Sequence, residues 1–175
     1  MDSDGYLSQL ADIFNGITVN TPSISAIIAI VLAGVLLLAS GFASASEIAF
    51  FSLSPSDRND IDERNHPSDD KISALLGDTE RLLATILITN NFVNVTIIML
   101  CNFFFMNVFV FHSPLAEFLI LTVILTFLLL LFGEIMPKIY SAQKTLTFCR
   151  FSAPGIYFLE KVFHPIATVP GVRPL

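Results

Sequence analysis

Three stretches of this chain run for about twenty residues or more with almost no charge, and nothing else in the sequence constrains the fold as strongly. Residues 24–46 and 82–111 hold no Asp, Glu, Lys or Arg, and residues 115–133 hold only Glu117, near one end. A helix needs roughly 20 apolar residues to cross about 30 Å of hydrocarbon. Backbone in lipid must also satisfy its own hydrogen bonds, which a helix does. The expected fold is therefore all-α, a membrane protein with three transmembrane helices. Composition agrees: charged residues make up 14% of the chain, against about 25% in soluble domains. Mean hydropathy is +0.73.

The first stretch is expected to be a crossing and not a cleaved leader. Leaders open on a basic segment, whereas Asp2, Asp4 and Asp12 precede this stretch without any Lys or Arg. A net charge of −6 argues against a nucleic-acid partner. Cys101 and Cys149 lie too far apart to suggest a disulfide framework or a metal-ligand spacing.

Orientation follows from the nine basic residues. Arg58, Arg64, Lys71 and Arg81 lie between the first and second stretches; Lys138, Lys144, Arg150, Lys161 and Arg173 follow the third. The expected arrangement is an integral membrane protein, with the N-terminus outside and the C-terminus in the cytoplasm. Residues 1–23 form an acidic extracytoplasmic tail. Residues 24–137 form the transmembrane domain, with a cytoplasmic loop at 52–81. Residues 138–175 form a juxtamembrane helical belt.

Within the 52–81 loop, Ser54-Pro55 and Pro67-Ser68 are suitable helix starts. Two short amphipathic helices are expected there, and Asp78 or Thr79 is placed to cap the second crossing. Pro137 is expected to break the third helix, and Ser152-Ala153-Pro154-Gly155 reads as a second break. An interfacial helix over residues 156–169 follows.

Each crossing carries polar groups that are costly in lipid and therefore face a bundle interior or a cavity. In the first, Ser40, Ser44 and Glu47 share one helix face at i, i+4, i+7. Gly41 and Ala45 form a small-xxx-small pair beside them, a pattern of close helix packing. In the second, Asn90 and Asn94 share a face, with Asn91 off it. In the third, Pro137 offers no N–H to the Gly133 carbonyl four residues back, next to the Glu134 carboxylate. Hydroxyl, carboxamide, carboxylate and carbonyl are all oxygen donors, a set that suits a hard cation such as Mg²⁺, Ca²⁺ or Na⁺. Helix-to-helix hydrogen bonding is the other use of such groups. We favour packing for Ser40 and Ser46.

Three segments carry a family resemblance. Ser44-Ala45-Ser46-Glu47-Ile48-Ala49-Phe50-Phe51-Ser52-Leu53-Ser54 resembles the first-helix signature of the CNNM/CorC (cyclin M-like) magnesium transport family. Leu87-Ile88-Thr89-Asn90-Asn91-Phe92-Val93-Asn94 resembles the second-helix motif, with Thr89 where the family usually has Gly. Phe132-Gly133-Glu134-Ile135-Met136-Pro137-Lys138 resembles the third. The resemblance implies a homodimeric module of three helices and a belt, with a cytoplasm-facing cavity for dehydrated Mg²⁺. It implies Ser44, Asn90, Asn94, the Gly133 carbonyl and Glu134 as metal ligands, with Glu47 and Asn91 in supporting positions and Pro137 at a hinge. It also implies cytoplasmic CBS-type domains in a full-length protein, which the 175 residues do not include. The acidic tail and Phe103, Phe104, Phe105, Phe109 and Phe111 resemble the gliding-motility-associated branch of this family.

The expected function is the transmembrane module of a Mg²⁺ transporter, an efflux device working by alternating access, with Na⁺ a candidate coupling ion. The other class considered is a membrane anchor or regulatory module of a motility or secretion complex, its ion site structural or sensory. An enzyme is not expected. Glu47 and Glu134 have no nucleophile constellation near them, and His66, His112 and His164 have no partner at useful spacing.

Overall fold

The computed structural model describes residues 18–111 and 114–167. The acidic tail before residue 18, His112 and the residues after 167 lie outside that description. Helices dominate, and three of them are long and apolar enough to cross a membrane.

The first crossing, α1 (Ile24–Phe51), starts where the Ser23 side chain accepts a hydrogen bond from the Ala26 N–H at 3.2 Å. Its buried face is made of small residues. Ala26, Ala29, Ala33, Ser40, Gly41, Ser44 and Ala45 are buried, while Ile27, Ile28, Val31, Val35 and Leu38 are exposed. A water-soluble helix would bury its large side chains instead. Lipid is as apolar as isoleucine, so bulk is left facing outward and small residues let neighbouring backbones approach.

The connector folds into α2 (Pro55–Asp62) and α3 (Asp69–Leu76), as the sequence predicts. Ser54 and Asp57 form a reciprocal capping box at the start of α2. The second crossing, α4 (Thr79–Val108), is capped by Asp78, whose carboxylate accepts from the Arg81 N–H at 3.1 Å. It packs along α1 more extensively than any other pair of elements. At the far end, β1 (Thr18–Val19) and β2 (Phe109–Val110) form a two-residue antiparallel ladder that ties the start of α1 to the end of α4.

The third crossing corrects an expectation. The helix does not stop at Gly133 or break at Pro137; α5 (Pro114–Leu128) passes through a π-helical segment (Leu129–Ile135) into α6 (Met136–Gln143). A proline ring clashes with the carbonyl four residues back in an α-helix. The wider π-turn leads up to Pro137, with the Met136 N–H bonding to the Leu131 carbonyl five residues earlier, so the helix continues where an α-register would collide.

The second correction lies in α7 (Thr145–Ala167), which runs through Ser152-Ala153-Pro154-Gly155 without interruption. Ser152, Ala153 and Ile156 are buried in the core beside Phe50, Ile72 and Leu82. Gly155 serves as a close-approach site: a methyl group there would stand 3.0 Å from the Phe42 ring. Burial along α7 overrides a local sequence that reads as a turn.

Ion pairs fasten the belt to the crossings. The Arg150 guanidinium donates to both oxygens of Asp69, at 2.8 and 3.0 Å, joining α7 to α3. Asp69 is fully buried. Burial by itself would raise its carboxyl pKa, but the Arg150 hydrogen bonds, the His66 backbone N–H and the Arg150 charge together hold it below the usual value. Arg81 lies 3.0 Å from Glu160, and Lys138 3.0 Å from Glu47.

Candidate functional site

The polar residues of α1 and α4 meet between two apolar clusters. On one side lie Ala49, Phe50, Leu82 and Ile86 with the belt residues Cys149, Ala153 and Ile156. On the other lie Ala33, Val93, Ile97, Cys101 and Leu125. Between them the Ser40 hydroxyl stands 2.9 Å from Asn90 Oδ1 and 2.6 Å from Asn94 Oδ1. Ser44 Oγ lies 3.5 Å from Asn90 Oδ1. Both serines are fully buried and both asparagines are half-buried.

Helical spacing produces this convergence. Ser40 and Ser44 are one turn apart on α1, and Asn90 and Asn94 are one turn apart on α4, so two four-residue ridges face each other. The third crossing closes the side. Gly133 is buried, and a methyl group there would stand 3.3 Å from Ser40 Oγ and 3.5 Å from Leu37 Cδ1. A side chain there would make Ser40 give way by a few tenths of an ångström.

Gly41 and Ala45 hold the third crossing in place, one turn apart on the neighbouring face. A methyl group on Gly41 would meet Pro137 Cγ at 2.9 Å and the Phe132 carbonyl oxygen at 3.3 Å. The buried Ser141 hydroxyl donates to the Ala45 carbonyl at 2.6 Å. The small-xxx-small pair thus seats the segment that carries Gly133.

The residues singled out from the sequence divide into two groups. Ser44, Asn90, Asn94 and Gly133 come together. Glu134 is half-buried beside Gly133, and among the described residues its carboxylate makes no hydrogen bond or ion pair to the cluster. Glu47 is paired with Lys138. Asn91 is exposed, off the face shared by Asn90 and Asn94. Pro137 packs on Gly41. Ser40, which the sequence reading assigned to packing, sits at the centre of the cluster. Its place on the Ser44 face was the signal.

Chemically the cluster is rich in acceptors. One Ser40 proton faces two carboxamide oxygens, and a hydroxyl has a single proton to give. A cation placed here could be ligated by the carboxamide oxygens, and each hydroxyl could then turn its proton away and present a lone pair. No group of three or more His, Cys, Asp or Glu residues suited to a metal occurs among the described residues. The donors are neutral oxygens, which suit a hard cation and not Zn²⁺ or copper.

A family model described as the cyclin M transmembrane N-terminal domain matches residues 28–172. The chain is also 29% identical over 136 residues to a protein of Haemophilus influenzae described as "UPF0053 protein". That match covers 78% of this chain and 31% of the relative, so the chain spans about a third of the relative's length.

Proposed function

Because the chain belongs to the cyclin M transmembrane family, we propose that its three crossings form the ion-conducting module of a Mg²⁺ transporter. Ser40, Ser44, Asn90 and Asn94 replace hydration waters of the cargo ion, the Gly133 carbonyl completes the donor set, and Glu134 supplies nearby negative charge. The observation that carries this reading is the meeting of two carboxamide oxygens on one buried hydroxyl. Mg²⁺ takes oxygen ligands near 2.0–2.1 Å and sheds water reluctantly, so a preformed oxygen cluster lowers the cost of dehydration.

The module works as a homodimer by alternating access, exporting Mg²⁺ from the cytoplasm with a Na⁺ gradient as the driving force. Pro137 and the π-turn before it are the hinge. The basic residues of the connector and belt face the cytoplasm of a bacterial inner membrane, and CBS-type domains follow in the full-length protein. Each of these is part of the proposal.

The test uses purified protein in proteoliposomes loaded with a Mg²⁺ indicator. Wild type is expected to show saturable Mg²⁺ flux, and a folded Asn94→Ala, Glu134→Ala double variant none. Equal flux in the two would overturn the assignment. Binding without flux would identify a sensory or anchoring module instead.

A further inference from the structure

A second feature of the molecule lies outside the polar cluster, on the opposite face of the α1–α6 contact. A cavity of about 380 Å³ is lined by Leu37, Leu38, Gly41, Phe42, Ala45, Phe132, Pro137, Tyr140, Phe148 and Phe151, a size typical of ligand pockets. Its wall on α1 extends from Leu37 to Ala45, about 12 Å at 1.5 Å per residue. The groove therefore runs along a membrane-spanning helix, in the direction of a lipid acyl chain. It is open to the bilayer: Leu38 is 76% exposed and Phe151 67%.

The groove has a polar mouth. A neighbouring cavity shares Tyr140, Phe148 and Phe151 with it and adds Lys144 and Thr147. Lys144 is exposed, in the bend between α6 and α7. Among the described residues no carboxylate lies within ion-pair distance of it. Asp57 borders the same region; its Oδ2 accepts from the Ser54 N–H and hydroxyl, and its carboxylate makes no ion pair with Lys144. Arg150, the next cation along α7, is committed to Asp69. Among the described residues Lys144 is thus a cation without an ion-pair partner, at the end of an apolar slot.

We propose that an anionic phospholipid of the adjoining leaflet docks here, one acyl chain in the groove and its phosphate on Lys144. Charge complementarity at the mouth selects this occupant over a zwitterionic lipid, and the direction of the slot selects a chain lying along α1. Gly41, where a methyl group would run into Pro137 Cγ at 2.9 Å, lets Pro137 close in as one wall of the groove. Phe42, Phe148 and Phe151 form its floor and rim as an aromatic cluster with ring centroids 5.8–6.2 Å apart. A lipid in this slot touches Pro137 directly, and so rests on the segment that positions Gly133 against Ser40.

The experiment is native mass spectrometry of the purified full chain, delipidated and then titrated with phosphatidylglycerol or phosphatidylcholine. Wild type is expected to retain phosphatidylglycerol at concentrations where phosphatidylcholine is lost. Lys144→Glu should lower that preference at least about fivefold, the worth of one basic residue near an anionic surface. Phe151→Ala, at an exposed rim position, should weaken retention of both lipids. Phe151→Cys in native membranes tests whether a second copy of this chain covers the groove instead of a lipid. Equal retention of the two lipids, an unchanged Lys144→Glu variant, or efficient disulfide-linked dimers through Cys at 151 would each overturn the proposal. None of these readouts depends on ion flux, so failure here and failure of the transport reading are separable.

Discussion

At the scale of single residues, the site rests on the absence of a side chain as much as on the presence of donors. Gly133 brings the third crossing against Ser40, and one more carbon there would stand only 3.3 Å from the Ser40 hydroxyl. Gly133→Ala should leave the helices intact, since alanine favours helix over glycine by about 1 kcal/mol. It should still push Ser40 away from Asn90 and Asn94. The expected outcome is an unchanged or raised melting temperature with Mg²⁺ binding weakened tenfold or more, on the order of 1.4 kcal/mol; titration calorimetry alongside thermal denaturation checks both arms. Binding as strong as wild type would remove Gly133 from the site. Residue spacing made most of this legible beforehand. Ser44, Asn90 and Asn94 could be paired by their four-residue periods, and Gly133 by its relation to Pro137. Ser40 was assigned to packing because a serine in a membrane helix commonly bonds its own backbone, as Ser46 does here to the Phe42 carbonyl at 2.7 Å. Only the approach of α4 distinguishes the two serines. Glu134 shows the converse: adjacency in sequence does not bring its carboxylate onto the Ser–Asn contacts.

At the scale of elements, hydrophobic length fixed the three crossings, while local breakers misled. Pro137 and the Pro154-Gly155 pair both read as stops, and both lie inside continuous helix. Breaker residues report what an isolated chain prefers, at about 3 kcal/mol for an interior proline. Burial of Ser152, Ala153 and Ile156 and the π-turn before Pro137 offset that preference, and neither can be seen in a local window. The short ladder between Thr18–Val19 and Phe109–Val110 escaped for a similar reason, since it joins residues about ninety positions apart. The π-turn yields a prediction of its own. Pro137→Ala restores an N–H and removes the ring clash, so residues 129–135 should relax toward an α-register. That shift moves Gly133 relative to Ser40. We expect higher thermal stability, greater amide-exchange protection around residues 132–137 and Mg²⁺ flux reduced severalfold. Faster flux, or no change in exchange, would show that Pro137 neither maintains the π-turn nor acts as a hinge.

At the scale of the whole molecule, the crossings and the belt are fastened into one body by charged contacts lying outside the three apolar spans. The pair between Asp69 and Arg150 matters most because Asp69 has no solvent exposure and both of its oxygens are engaged. The exposed Arg64–Asp70 pair at 3.4 Å adds little by comparison. Replacing Asp69 by Asn leaves the Arg150 charge poorly compensated and should cost about 3–5 kcal/mol, the usual penalty for breaking a buried pair from one side. The dependence on pH has a definite sign. The Asp69 carboxyl titrates below its ordinary value in the folded protein, so its contribution is complete above the unfolded value of about 3.9. It is lost as pH falls through the lower folded value. Wild type should therefore melt well above Asp69→Asn at pH 7 and at pH 5, and the gap should close only below about pH 4. Added salt should hardly change the gap at neutral pH, because burial shields the pair from screening. Thermal denaturation of both proteins in detergent across this range measures the effect. A gap that closed between pH 5 and 7 would show that the Asp69 carboxylate is not the group that sets the difference. Since α7 also carries the aromatic wall beside the third crossing, loosening this clamp should disturb the helix contacts that set Gly133 against Ser40. Asp69→Asn protein that stays folded should consequently bind Mg²⁺ more weakly, although Asp69 belongs to the connector and not to the Ser–Asn cluster.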